Sequence, residues 1–205
     1  MAEVLVLVDH TEGEIKKSTL ELLTAARTLG EPSAVVIAAA GATDGMAAKL
    51  AEGGAEKIYA VEGDEVFGYS VAPIVDVLAQ LVAEKSPAAV LLASSQEGKE
   101  VAGRLAIRTG NGFLTEAVDV ASDGTATQSI FAGSMTVQSK VTTAMPIITV
   151  RPNSIAINAQ AGAGTREDVS VTLSDNSKKA QILDRKVEAS GARPDLTEAS
   201  KIVSG

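Results

Sequence analysis

Two short stretches hold residue types that could do chemistry. The first is "DHT" (9–11), which sets Asp9 beside His10, the one histidine in 205 residues. A histidine and a carboxylate can share acid–base work, but only with a nucleophile or second titrating group in reach. No spacing in the chain supplies one, so His10 reads as structural. The second is "SSQEGKE" (94–100), where Ser94, Ser95 and Lys99 surround the expected start of a helix. Hydroxyls, free helix N–H groups and an ammonium can together hold an anion. The plainer reading makes Ser95 a helix cap, leaves Glu97 and Lys99 in water, and lets Gly98 ease the turn.

Other candidates are weaker. "GAGTRE" (162–167) has half the glycines of a dinucleotide loop, but lacks the third and does not follow the first strand. Its glycines read as flexibility. The carboxylate pairs Asp64–Glu65 and Glu167–Asp168 sit among loop residues with no sign of burial, so no raised pKa is argued. GxGxxG after the first strand, GxxxxGK[ST], GxSxG and HExxH are all missing. No catalytic, cofactor-binding or metal-ligating residue is assigned.

Composition narrows the field further. There is no cysteine, which removes disulfides, thiolate metal sites and a cysteine nucleophile. One histidine removes multi-histidine metal sites. A net charge of -8 argues against nucleic acid, because no basic field gathers phosphates. Aromatics are 2% of a chain that is 45% hydrophobic, so the core must be Val, Ile, Leu and Ala. The pairs Lys16–Lys17 and Lys178–Lys179 read as solvated faces. "MAEVLVLVDH" begins a strand at once and lacks the basic start and apolar run of a signal peptide. No run reaches the length of a bilayer span. A soluble, cytoplasmic protein is expected.

The elements that must position these residues alternate. Strands are expected at 3–9, 33–41, 56–62 and 88–95, each continuous and apolar, as strands covered on both faces are. Helices are expected at 14–30, 43–54, 70–87 and 98–110. Gly30 stops the first; Ser70 caps the third, with Pro73 in its first turn. The repeat argues an α/β, doubly wound, mostly parallel sheet. After Gly112 the pattern changes to Val/Thr/Ser alternation, with "SDGT" (122–125) as a hairpin signal. That half reads as antiparallel additions at a sheet edge or a small second sheet, with "PIITVRP" (146–152) among its strands. Residues 158–168 read as a mobile loop, 169–173 as a short strand, and 174–194 as close to a linker.

The whole arrangement resembles the alpha (large) subunit of electron transfer flavoproteins. The likeness runs through "VLVLVDHTEGEIKKSTLELLTAARTLG", "VLLASSQEGKEVAGRLAIRTG", "TQSIFAGSMTVQSK", "IITVRPNSI" and "RPDLTEASKIVSG". It covers essentially every residue, with separated motifs in the right order. The resemblance implies that 1–190 form the N-terminal α/β domain, of the adenine-nucleotide alpha-hydrolase-like kind. It implies that 191–205 lead into an FAD-binding domain outside this chain, so that no FAD is held here. A related domain in the small beta subunit holds a structural AMP; the alpha domain normally carries no nucleotide. The full protein would be an electron carrier, not an enzyme. It would work in fatty acid beta-oxidation, passing electrons from flavin dehydrogenases, such as acyl-CoA dehydrogenases, to a membrane quinone oxidoreductase. Its partner in a heterodimer would be the beta subunit, which this domain would meet through 129–140 and 148–154. Phe131, Met135, Val137 and Ile148 are the apolar candidates there. Arg151 either anchors that interface or pins its own chain. The competing readings are a universal-stress-type nucleotide-binding module and a hydrolase or ligase using the "SSQEGK" turn.

Overall fold

The structure is a computed structural model that describes residues 2–186, 196, 199 and 201–204. The expected domain boundary between 190 and 191 lies outside the described residues. The chain opens on β1 (Glu3–Leu7), whose Val4, Leu5 and Val6 are fully buried. A two-residue hairpin follows, β2 (His10–Thr11) against β3 (Glu14–Ile15), before α1 (Lys17–Leu29). The helix expected from residue 14 therefore starts three residues later. Thr19 explains the delay: its hydroxyl donates to the Asp9 carbonyl and accepts from the Asp9 N–H, tying the hairpin to the first helical turn.

The strand–helix rhythm then runs as read. It comprises β4 (Glu31–Ala38), α2 (Thr43–Gly53), β5 (Lys57–Glu62), a single turn α3 (Asp64–Phe67), α4 (Ala72–Lys85), β6 (Ala89–Ala93) and α5 (Gln96–Thr109). Ser70 does not cap α4. The cap position is Val71, with φ of 47° and no side-chain hydrogen bond, while Pro73 does sit in the first turn. Ser95 caps α5 by accepting from the Gly98 N–H at 3.0 Å.

The second half meets the expected antiparallel edge addition in part, in its second and third strands. It contains β7 (Phe113–Val120), β8 (Ala126–Ile130), β9 (Met135–Ser139), β10 (Ile147–Val150) and β11 (Thr165–Asp168). The sheet order is β11-β5-β4-β1-β6-β10-β7-β8-β9. Every neighbouring pair from β11 to β7 is parallel; β8 and β9 alone add antiparallel at the far edge. The strand β10 is thus interior, inserted between β6 and β7. Its Ile147, Ile148, Thr149 and Val150 are all buried, as a strand covered on both faces demands.

The alternation along each strand divides the core in two. Val4, Val6, Leu91 and Ile148 face α1 and α2, where Leu22, Leu23, Met46 and Leu50 cover them. Leu5, Val90, Leu92 and Ile147 face α4 and α5, under Leu78, Leu81, Val101 and Leu105. Branched and small side chains fill most of both gaps, but the core is not confined to Val, Ile, Leu and Ala: Met46 enters the first, and Tyr59 and Met145 the second.

Two further readings are corrected. Residues 165–168 form β11 beside β5, while 169–173 form no strand. The reason lies in the glycines before them, which serve close packing. A Cβ on Gly162 would stand 2.4 Å from the Ala55 carbonyl oxygen. The Gly162 and Gly164 N–H groups donate to the Ala51 and Ala55 carbonyls, docking this segment on the end of α2. Residues 174–186 are likewise attached to the domain, not linker-like.

Candidate functional site

Ligands of open α/β sheets bind beyond the carboxyl ends of the strands, where the strand order reverses. Here the chain runs from β1 outward through β4 and β5, then returns to the other side of β1 with β6. A crevice of about 640 Å³ lies at that switch point. Asp9, His10 and Glu12 line it beyond β1, Ala39 beyond β4, Ser95 and Glu97 beyond β6. Phe67 and Arg185 complete it from the α3 side.

The two sequence candidates both fall here, but neither forms the group expected of an active centre. His10 Nε2 lies 3.0 Å from the Ile37 carbonyl oxygen, which can only accept, so this nitrogen donates. Its Nδ1 is buried with no partner among the described residues. The ring lies parallel to Phe67, with centroids 6.4 Å apart. The Asp9 carboxylate turns away to Lys16 at 2.9 Å. Histidine and aspartate are neighbours in sequence and separately employed in space, which supports the structural reading of His10.

The "SSQEGKE" turn is shaped by contact with β6. A Cβ at Gly98 would sit 2.0 Å from the Ala93 carbonyl oxygen, so only glycine lets α5 start this close to the strand. Ser94 points to the β10 side, donating to Glu116 at 2.8 Å and sharing a hydrogen bond with Thr149 at 3.0 Å. Lys99 forms an ion pair with the same carboxylate, and Arg151 Nε donates to it at 3.0 Å. Ser94 and Lys99 therefore serve Glu116 and do not form an anion cradle.

Glu116 is the residue that sequence reading missed. It sits at a register shift between β7 and β10, with φ of 59°. The bulge turns its side chain to three donors. Burial alone would raise its pKa; hydrogen bonds from Lys99, Ser94 and Arg151 outweigh that and hold the carboxyl at about 2. Its trace in the sequence is a single acid inside "FLTEAVDV" with two otherwise unexplained cations elsewhere. A bulge leaves no periodic signal, so the trace could not be read.

Charge of both signs meets at the crevice. Asp9, Glu12 and Glu97 bring carboxylates to its walls, and Arg185 and Lys186 bring cations. The nearby Lys16 and Lys99 are engaged by acids, and Arg185 lies over the Phe67 ring at 3.9 Å.

A second feature lies on the surface near the far edge of the sheet. Residues Phe131 and Ala132 take φ of 50° and 53° in the turn between β8 and β9, and Phe131 stands 74% exposed. Met135, Ile130, Phe113 and Ile107 are also exposed, the last at 87%. Of the four apolar interface candidates, Phe131 and Met135 are on the surface and Val137 is half-buried. Ile148 is fully buried in β10 and is withdrawn from that set. Arg151 pins its own chain: besides Glu116 it donates to the Ser129 carbonyl at 2.9 Å.

The nine-stranded, mostly parallel sheet with helices on both faces defines a doubly wound α/β domain. Residues 4–176 match the family described as electron transfer flavoprotein domain, and the chain belongs to that family. It is 46% identical over 206 residues to the electron transfer flavoprotein subunit alpha of Mycobacterium leprae, covering 100% of this chain and 64% of the relative. The subunit alpha of Mycobacterium tuberculosis is 49% identical over 173 residues, 84% of this chain and 54% of the relative. That of Syntrophomonas wolfei is 33% identical over 210 residues, 100% of this chain and 65% of the relative. The chain thus spans less than two thirds of the length of these relatives. Among the described residues, no helix is long and apolar enough to cross a membrane.

Proposed function

We propose that this chain is the N-terminal α/β domain of an electron transfer flavoprotein alpha subunit. In this reading the full protein carries electrons on FAD, from flavin dehydrogenases such as those oxidising acyl-CoA to a membrane quinone oxidoreductase. It is a cytoplasmic electron carrier and not an enzyme. The FAD is held by a domain beyond this chain, and the AMP of the complex by the beta subunit. The observation that carries the reading is the family match over 4–176, with 46% identity to a subunit alpha along the whole chain.

The role of this domain is scaffolding and subunit pairing. Its own residues support that division of labour. At the switch-point crevice Asp9 is paired with Lys16, and Arg185 lies over the Phe67 ring. The far edge of the sheet offers Phe131, Met135 and Phe113 to a partner, among polar Ser, Thr and Gln. An apolar centre with a polar rim is the usual build of a protein interface.

The competing nucleotide-binding reading is separated by titrating the purified chain with AMP and ATP. No saturable binding below the millimolar range is expected, and the purified chain should carry no flavin absorbance. Micromolar binding, with chemical shifts or protection centred on His10 and Ser95, would favour a nucleotide sensor. Nucleotide turnover would favour a hydrolase or ligase.

A further inference from the structure

We propose that residues 169–186 are a latched strap: it is keyed on the buried carboxylate of Asp76, and it holds Arg185 on Phe67 at the mouth of the switch-point crevice. The chain's own segment thereby governs access to the crevice.

The path of the strap is specific. It leaves β11, and Val169, Val171 and Leu173 pack over the α4 face of the core. Gln80 on α4 donates to the Ser170 carbonyl at 3.1 Å. The 3-10 turn Asp175–Lys178 then seats Ser177, which is 3% exposed, against Asp76. One oxygen of Asp76 accepts from the Ser174 N–H at 2.8 Å and from the Ser177 hydroxyl; the other meets Arg108 at 2.9 Å. Beyond the turn, the Ser70 N–H donates to the Ala180 carbonyl and the Ile182 N–H to the Gly68 carbonyl, each at 2.9 Å. Tyr69 and Gln181 form an isolated antiparallel bridge between those contacts. The strap ends with the Arg185 guanidinium 3.9 Å above the Phe67 ring and donating to the Phe67 carbonyl at 2.6 Å.

Three observations distinguish a latch from a tail lying on a surface. The only buried carboxylate of α4 is spent on the strap and on Arg108, and a buried carboxylate without its partners is costly. The strap side answers with a buried serine. The backbone hydrogen bonds to the α3–α4 connection are few and local, so the strap can separate while the nine-stranded sheet stays whole. Phe67, which Arg185 covers, is the same ring that lies parallel to His10 inside the crevice. Movement of the strap tip is therefore felt at the crevice wall.

The absence of cysteine gives a clean test. Ala93, 6% exposed, lines the crevice at the end of β6 and is changed to cysteine as a reporter. Its rate of labelling by N-ethylmaleimide is measured in the 205-residue chain, alone and combined with Arg185→Ala, Ser177→Ala or Asp76→Asn. Hydrogen exchange of peptides covering 169–182 is followed in parallel. Arg185→Ala is expected to speed labelling about tenfold while exchange at 169–182 stays unchanged, since it removes only the tip. Ser177→Ala and Asp76→Asn are expected to speed both by about tenfold or more, with the sheet still protected. Should Asp76→Asn fail to fold, Ser177→Ala carries the same prediction. Labelling equal to the parent in both Arg185→Ala and Ser177→Ala would overturn the proposal. So would strap exchange that accelerates only together with the sheet.

Discussion

Glu116 gathers Ser94, Lys99 and Arg151 onto one carboxylate at a backbone bulge. Its folded pKa is depressed to about 2. A depressed carboxylate stabilises the fold above its unfolded pKa and loses that contribution as pH falls through the folded value. The window is therefore from about pH 4.5 down to about 2. Glu116→Gln should cost about 1–2 kcal/mol at pH 7, after allowing for solvent screening of a side chain one-third exposed. The gap from the parent, read by urea unfolding, should shrink between pH 5 and pH 3 (roughly the upper part of that window); a gap independent of pH would contradict this role. Gly98 tests a different cause. Adding a methyl group 2.0 Å from the Ala93 carbonyl oxygen must move α5 away from β6. Gly98→Ala should lose about 2 kcal/mol or more, although alanine is the better helix former. A neutral or stabilising effect would mean that the turn relaxes freely.

At the scale of elements, legibility followed periodicity. The four early strands and the helices between them could be read because continuous apolar runs and helical spacing alternate cleanly. The position of β10 could not. "IITV" reads as a strand, but nothing local says that a late strand returns to the centre of the sheet between β6 and β7. The one usable hint was a run of branched residues with no charge, Ile147 to Val150, which fits burial on both faces better than an edge. Residues 169–186 were illegible for a related reason: polar composition suggested a linker, while the attachment depends on single residues such as Asp76 and Ser177. The site was split in the same way. The capping role of Ser95 and the structural role of His10 were visible, whereas Glu116 needed the bulge. Placement within the sheet has a direct energetic consequence. Ile148→Ala, in the interior strand, should cost about 2–5 kcal/mol. Phe131→Ser, in the exposed turn, should stay within about 0.5 kcal/mol of the parent. Denaturant midpoints with unchanged slopes check both, and equal costs at the two positions would refute the interior placement.

At the scale of the whole molecule, the task proposed for this domain is structural support and subunit pairing within a longer flavoprotein. The family match supports that assignment, and the exposed apolar residues around β8, β9 and the start of β7 supply the surface for it. The most direct measurement is calorimetric titration of the 205-residue chain with the beta subunit of the same electron transfer flavoprotein. It is repeated with Phe131→Ser, after circular dichroism has verified the fold. The account predicts a one-to-one complex (one alpha-type domain to one beta subunit, with Kd about micromolar or tighter). It also predicts at least about tenfold weaker binding by the variant, as loss of an exposed aromatic anchor implies. Absence of any complex with the folded parent chain, or equal affinity of parent and variant, would contradict it.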